Sequence, residues 1–272
     1  MSHNLLKGKR GIIFGALNDR SIAWKVAQVA HAEGATFTLT NAPIALRMGE
    51  INKLAEECGG AEVIPADATS MEDLDNLLTK SMEVLGGKID FILHSIGMSP
   101  NVRKGRDYGD LNYDWMVKSL DVSAMSFHRL MQTAEKLDAM NEWGSIMGLS
   151  YIAAQRTFPD YSDMAQAKAL LESIARSYGE RFGRLKNVRV NTISQSPTMT
   201  TAGEGVGGFD VFFDYADKMS PLGNASALDC ANYTVMFFSD FTKMVTMQNL
   251  YHDGGFSSSG ITDALIEQLK KD

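Results

Sequence analysis

Two cysteines, Cys58 and Cys230, are all that 272 residues contain. They stand far apart and outside any metal-ligand spacing, which argues against a disulfide scaffold and makes a reduced cytoplasm the expected compartment. Basic charge is also short: 26 Lys and Arg face 33 Asp and Glu, a formal net charge of −7. A chain this acidic is not held on DNA by bulk electrostatics, so no nucleic-acid partner is expected. Long apolar runs are missing as well. No stretch nears the ~18 apolar residues of a membrane span, and residues 1–10 hold no apolar signal core. A soluble protein without a membrane partner is expected. The five histidines, His3, His31, His94, His128 and His252, form no ligand cluster, so no metal is expected. His94 sits in an apolar strand end and reads as a core histidine rather than a catalyst.

What is present is an ordinary globular composition, 44% hydrophobic and 22% charged, which excludes a disordered chain. There is no repeat, linker or composition break, so a single domain over 1–272 is expected, with a lid loop at about 194–219. Short β-rich runs alternate with helical patterns. The strands are expected at 11–15, 36–40, 62–65, 89–94, 144–149 and 188–193, with a seventh at 246–251. Helices are expected over 22–30, 47–58, 70–85, 114–139, 159–182 and 227–239. Strand followed by helix, repeated six times, needs parallel strands joined by crossover helices. The predicted fold is α/β: one Rossmann-like, doubly wound parallel sheet of about seven strands with helices on both faces. Such sheets bind ligands beyond the carboxyl ends of their strands, which directs attention to Gly15, Asn41, Asp67, Ser95, Ser150 and Ser194.

Each strand end has a functional and a structural reading. The turn from Gly15 to Ala23 could seat a phosphate on a helix N-terminus, with Ser21 capping. It lacks the full G-x-G-x-x-G pattern, and a plain structural turn fits equally well. Asn41-Ala42-Pro43 offers neither a carboxylate for an adenosine ribose nor a cation for a 2′-phosphate. Arg47, the nearest cation, reads as a solvated helix residue. Asp67, before Ala68, could accept from an adenine amino group, or Asp67, Thr69 or Ser70 could cap the next helix. Ser95-Ile96-Gly97 could let backbone approach a flat cofactor or simply make a tight exit turn. Tyr161 and Lys168 are seven residues apart, about 10 Å along a helix and on one face. A phenol can stabilise an oxyanion, and a nearby ammonium can hold cofactor hydroxyls. The alternative is two exposed amphipathic residues, but the pair follows a strand end. Arg103, Lys104 and Arg106 could meet an acidic partner or be merely solvated. The 194–208 loop, with Pro197, Thr198, Thr200 and Thr201, could serve as a lid or an ordinary surface loop.

Six motifs occur in order: Gly15-x5-Ser21-Ile22-Ala23, His94-Ser95-Ile96-Gly97, Leu149-Ser150-Tyr151, Tyr161-x6-Lys168, Val188-Arg189-Val190-Asn191 and Asp253-Gly254-Gly255-Phe256. Over about 6–256 the chain resembles the NADH-dependent enoyl-[acyl-carrier-protein] reductases of bacterial type II fatty acid synthesis, a divergent branch of the short-chain dehydrogenase/reductases. Ordinary members of that superfamily use Tyr-x3-Lys, whereas the residue four after Tyr161 is Ala165. The resemblance implies that Tyr161 meets the enolate oxygen, Lys168 the nicotinamide ribose, and Tyr151 the substrate. It implies that Gly15, Ser21, Ile22, Ala42, Asp67, Ala68, Ser95, Ile96 and Gly97 line NADH. Thr198, Met199, Thr200, Thr201 and Ala202 would close over the cofactor, and Ser99, through its backbone, and Phe209 would touch substrate. An acyl carrier protein as partner, NADH rather than NADPH, and a homotetramer follow from the same resemblance. Two departures stand out. Ala42 replaces the family's frequent glutamine, and Gln195-Ser196-Pro197-Thr198 replaces the usual Ala-Gly-Pro-Ile before the lid. The rival readings are another short-chain dehydrogenase/reductase acting on a carbonyl or alcohol, and a non-enzymatic dinucleotide sensor. A sensor would not need Tyr161 and Lys168 together.

Overall fold

The computed structural model describes residues 2–47, 50–201, 203 and 209–270. Six strands, β1 (Arg10–Phe14), β2 (Thr36–Thr40), β3 (Ile89–His94), β4 (Met140–Ser150), β5 (Arg189–Gln195) and β6 (Asn249–His252), form one sheet. Their order is β2-β1-β3-β4-β5-β6 and every pairing is parallel. The order reverses between β1 and β3, so a crevice opens where those two strands end.

The helices are α1 (Ile22–Ala32), α2 (Pro43–Leu46), α3 (Ile51–Glu57), α4 (Met71–Leu85), α5 (Pro100–Arg103), α6 (Tyr113–Leu120), α7 (Ser126–Lys136), α8 (Met164–Lys186), α9 (Phe209–Met219), α10 (Ala227–Phe238) and α11 (Asp263–Leu269). Alternate residues of β1 point to opposite faces, and both faces are covered. Ile13 joins the core built with α1, α3 and α10, whereas Ile12 and Phe14 join the core built with α4, α7 and α8. This is why the strands read as apolar runs rather than alternating ones. α8 ends at Asn187, whose φ of +56° closes the helix in the left-handed region. Among the described residues, no helix is long and apolar enough to cross a membrane, and no three His, Cys, Asp or Glu side chains gather as a metal site.

Several elements differ from expectation. Segment 62–65 makes only one bridge, Leu39 to Val63, and is not a strand. It is four residues long at the sheet edge and ends in Pro65, which has no N–H to extend the ladder. The helix expected over 47–58 is the shorter α3, and a separate short helix, α2, precedes it. The one expected over 114–139 is α6, a π turn at Asp121–Met125, and α7. Within the 194–219 segment expected as a lid, residues 209–219 form α9, whose apolar Phe209, Phe212, Phe213 and Ala216 follow helical spacing.

Candidate active site

The first strand turn is shaped by close approach. Gly15 has φ +98°, and a β-carbon there would lie 2.0 Å from the carbonyl oxygen of Ser95. Only glycine lets the turn after β1 press against the exit of β3. Ser21 occupies the N-cap position of α1, but its hydroxyl does not cap the helix. It folds back and accepts from the amides of Leu17 and Asn18, each at 3.1 Å. The hydroxyl thus rigidifies the turn and leaves the first-turn amides of Ile22 and Ala23 to an incoming anion. In front of this turn, Asn18 Nδ2 and the Arg20 guanidinium donate to the Thr201 hydroxyl of the lid at 2.8 and 3.2 Å. Neither Asn18 nor Arg20 was singled out by the sequence reading. Their position between Gly15 and Ser21 was the available signal.

At the end of β2, Asn41 is spent on architecture. It donates to the carbonyl of Ala16 at 3.0 Å and accepts from the amide of Ala42 at 2.9 Å. Asp67 is exposed, and one carboxylate oxygen takes both the amide and hydroxyl of Thr69. Ser70 is the residue that caps α4, accepting from the amide of Asp73 at 3.1 Å. Ala68 is buried beside them, while Ser95 and Ile96 are half-buried at the end of β3.

Tyr161 and Lys168 do not share a helix. Pro159–Tyr161 is a separate 3-10 turn, Ser162 takes φ +42° and ψ −133°, and α8 begins only at Met164. Pro159 sets the tight turn and Ser162 breaks it from the helix, so the expected two-turn stacking is replaced by a bent approach. The two residues still share one region. Tyr161 lies 5.0 Å, centroid to centroid, from Tyr151, which follows β4. Lys168 Nζ donates to the carbonyl of Leu149, two residues before Tyr151, at 2.7 Å. A β-carbon on Gly97 would sit 3.8 Å from that Nζ, so the bare backbone after β3 faces the ammonium.

Burial raises both phenols well above the usual range, for Tyr151 with added repulsion from Tyr161 and Asp253. Both therefore remain protonated hydrogen-bond donors at neutral pH. The Tyr151 hydroxyl is buried and has no hydrogen-bond partner among the described residues. Burial lowers Lys168 to about 8, opposed by the Glu172 carboxylate. Glu172 itself accepts from Ser150 Oγ at 2.6 Å and from Gln155 at 3.3 Å. His94 is lowered to about 3 by burial and the Lys168 charge, and its Nε2 pairs with Ser126 Oγ at 2.8 Å. It is a neutral core histidine.

An aromatic wall adjoins the tyrosines. Phe158 and Phe212 lie 5.7 and 6.0 Å from the Tyr151 ring, and Phe158 meets Phe212 edge-on at 4.7 Å. Phe256 lies 6.2 Å from Phe158. Phe256 closes the Asp253-Gly254-Gly255-Phe256 motif but has no aromatic role assigned from sequence, and Phe158 and Phe212 are not among the candidate residues. Phe212 follows the helical spacing of α9, whereas Phe158 carries no spacing signal. Phe209 instead packs 6.0 Å from Phe213 and against Gly203 in the lid. Ser99 is buried, and its hydroxyl is engaged with protein. In the loop after β5, the Thr198 hydroxyl donates to the carbonyl of Ser196, the Thr200 hydroxyl accepts from the amide of Gly203, and Met199 is about half exposed. Ala202 lies outside the described residues.

These features fit a dinucleotide: a glycine-tight turn, open first-turn amides, and a side-chain-free backbone facing a buried ammonium. The comparisons agree. The family model described as Enoyl-(Acyl carrier protein) reductase matches residues 15–257. The Enoyl-[acyl-carrier-protein] reductase [NADH] FabI of Rickettsia bellii is 37% identical over 262 residues, covering 96% of this chain and 98% of its own. The crystal structure of the FabI–NADH complex from Alistipes finegoldii superposes with TM-score 0.94 at 65% identity, covering 96% of this chain and 92% of that one. The enoyl-[acyl-carrier-protein] reductase (NADH) structure from Aquifex aeolicus gives TM-score 0.87 at 31% identity, covering 95% and 100%.

Proposed function

The chain belongs to the enoyl-[acyl-carrier-protein] reductase family, and from that premise we infer what its residues do. It is an NADH-dependent oxidoreductase of fatty acid synthesis that saturates the trans-2 double bond of an enoyl thioester carried on acyl carrier protein. The observation that carries the assignment of roles is the Tyr151–Tyr161 pair beside Lys168, with a buried Tyr151 hydroxyl free to bond a ligand.

NADH, when bound, supplies the hydride that adds to the β-carbon of the substrate. The Tyr161 hydroxyl donates to the thioester oxygen, and its bond strengthens as charge collects there. Tyr151 stands on the same side as a second donor. Lys168 holds the ribose hydroxyls through its ammonium. The first-turn amides of Ile22 and Ala23, steadied by Gly15 and Ser21, receive the pyrophosphate. Ala42, Asp67, Ala68, Ser95, Ile96 and Gly97 line the remainder, and Thr198, Met199, Thr200, Thr201 and Ala202 close over it. The wall of Phe158, Phe212 and Phe256 borders the reacting end and excludes water, while Phe209 anchors the lid behind it. The whole chain acts as one domain with its lid at about 194–219.

The direct test is NADH and NADPH oxidation with crotonyl-CoA, beside a β-ketoacyl thioester. Turnover of the enoyl substrate alone is expected. NADH should exceed NADPH in kcat/KM by about tenfold or more, because a 2′-phosphate would lack a charge-assisted hydrogen bond worth ~1.5–3 kcal/mol. Asn41 is occupied and Ala42 has no polar group. Preference for NADPH would contradict this reading of the β2 end.

The acidic carrier protein should dock on basic side chains. Arg103 and Lys104 are exposed at the end of α5, whereas Arg106 already pairs with Asp110 at 2.7 Å and lies over the Trp115 ring. Reversing the charges of Arg103 and Lys104 should raise KM for the acyl-carrier substrate and spare crotonyl-CoA. Reversing Arg106 should do less. Equal effects on both substrates would refute the docking site.

A homotetramer is supported by large apolar side chains left in solvent, Tyr113 and Val117 on α6 and Leu222, Phe241 and Met244 near β6. Light scattering should read the mass of four chains, and a monomer mass would exclude it. A cytoplasmic location accords with two buried, unlinked cysteines.

A further inference from the structure

Asp163 is the N-cap residue of α8, yet its side chain does not cap that helix. An aspartate at this position ordinarily accepts from a first-turn amide of its own helix. Here the carboxylate is wholly buried and turned away. Oδ1 accepts from Ser99 Oγ at 2.6 Å. Oδ2 accepts from Asn101 Nδ2 and from Ser119 Oγ, both at 2.9 Å, the single Ser119 proton being shared with the carbonyl of Trp115 at 2.8 Å. The donors come from the loop after β3, from α5 and from α6. Asn101 also bonds both ways with the backbone of Asn112, at 3.0 and 3.1 Å, which ties the two ends of the 97–112 segment to the same carboxylate.

The residue between this hub and Tyr161 is Ser162, with φ +42° and ψ −133°. For a side-chain-bearing residue such a conformation persists only where its surroundings over-determine it. The Ser162 hydroxyl has no hydrogen-bond partner among the described residues, so it does not provide that constraint. The hydrogen bonds to the next residue do, two from Ser99 and Asn101 and a shared one from Ser119. They fix the peptide that follows the strained position, and through it the turn carrying the Tyr161 ring.

We propose that Asp163 is a positioning residue of this active site: by gathering Ser99, Asn101 and Ser119, it sets Tyr161 against the loop that follows β3. The proposal rests on the role assigned above to Tyr161. A displacement of about 1 Å at a reacting group can cost up to ~10²-fold in rate, so the hub's effect should appear in kcat.

The experiment is a double-mutant cycle on the full chain with crotonyl-CoA and NADH, each rate normalised to the fraction of chains that bind NADH. Asp163→Asn keeps the size but lets only one of the two atoms act as an acceptor. It should lower kcat by about tenfold in the parent and by less than about twofold in a Tyr161→Phe background. Ser119→Ala keeps the carboxylate and removes one donor. It should show the same dependence on Tyr161 with a smaller loss, and it carries the test if Asp163→Asn folds poorly. Unchanged kcat in both variants would overturn the proposal, as would an equal loss in the two backgrounds, the mark of a merely structural role. Full activity of Tyr161→Phe by itself would instead remove the role of Tyr161, and the proposal with it.

Discussion

Tyr161→Phe should lower kcat by up to ~10²-fold while NADH binding stays close to that of the parent protein, since a single oxyanion donor is worth about that much. In the role proposed for it, the Tyr161 hydroxyl meets an oxygen whose charge is fully developed only in the transition state. The loss should fall short of that ceiling if Tyr151 compensates, because its own buried hydroxyl is unpartnered and its ring is 5.0 Å away. Lys168→Ala should behave differently, weakening NADH binding and lowering turnover together. Its ammonium faces the bare backbone at Gly97, and in the role proposed above it acts on the cofactor rather than on the oxyanion. The lysine in the free protein titrates near 8, pulled down by burial. Charge is present below that pH and lost above it, so NADH affinity should decline as pH rises through about 8. Lys168→Ala should flatten this decline. Calorimetric titration with NADH and steady-state kinetics separate the two variants. Loss of NADH binding in Tyr161→Phe, with Lys168→Ala unaffected in both binding and turnover, would reverse the assignments.

Gly15→Ala should damage both stability and cofactor binding. A methyl at φ +98° costs about 1–2 kcal/mol by itself, and this one would also lie 2.0 Å from the Ser95 carbonyl oxygen. Backbone cannot rotate out of the way as a side chain can, so the turn after β1 must move off the exit of β3. A total of ~2 kcal/mol or more corresponds to a melting temperature lower by about 4–8 °C. NADH affinity should fall with it, because the displaced turn carries the open amides of α1. Gly8→Ala is the control. Gly8 also has positive φ, +77°, but a β-carbon there meets nothing within 4 Å. The difference between the two variants isolates the close approach. If they melt together and bind NADH equally well, the contact with Ser95 has no such role.

Periodicity revealed what long, regular elements show, and little else. The alternation of strands and helices points to the parallel sheet, and the strand ends direct attention to Gly15, Ser95 and Ser150, beside Gly97 and Tyr151. The Tyr161–Lys168 spacing suggested a shared helix, but Pro159 and the positive φ of Ser162 place Tyr161 in a turn of its own. The side chains converge regardless, because both segments return to the end of β4. Phe212 could have been reached from the helical spacing of α9, and Glu172 from its place four residues after Lys168. Phe158 could not, since it joins the wall only through tertiary packing, and Phe256, although it closes a motif, shows nothing in its spacing of the contact with Phe158. Asp163 also escapes local rules: its position says helix cap, while its partners lie 44 to 64 residues away in sequence.

The two cysteines have a practical use. Cys58 and Cys230 are both buried, and burial lifts their thiols to about 11 and about 12. Alkylating reagents attack thiolates, so both should stay silent toward them while the protein is folded. A cysteine introduced at exposed Asp210, at the start of α9, would then be the one site that takes a fluorophore or spin label. The native sequence is in effect already a cysteine-light background, in which the position of α9 relative to the sheet can be followed by spectroscopy without first removing either natural thiol.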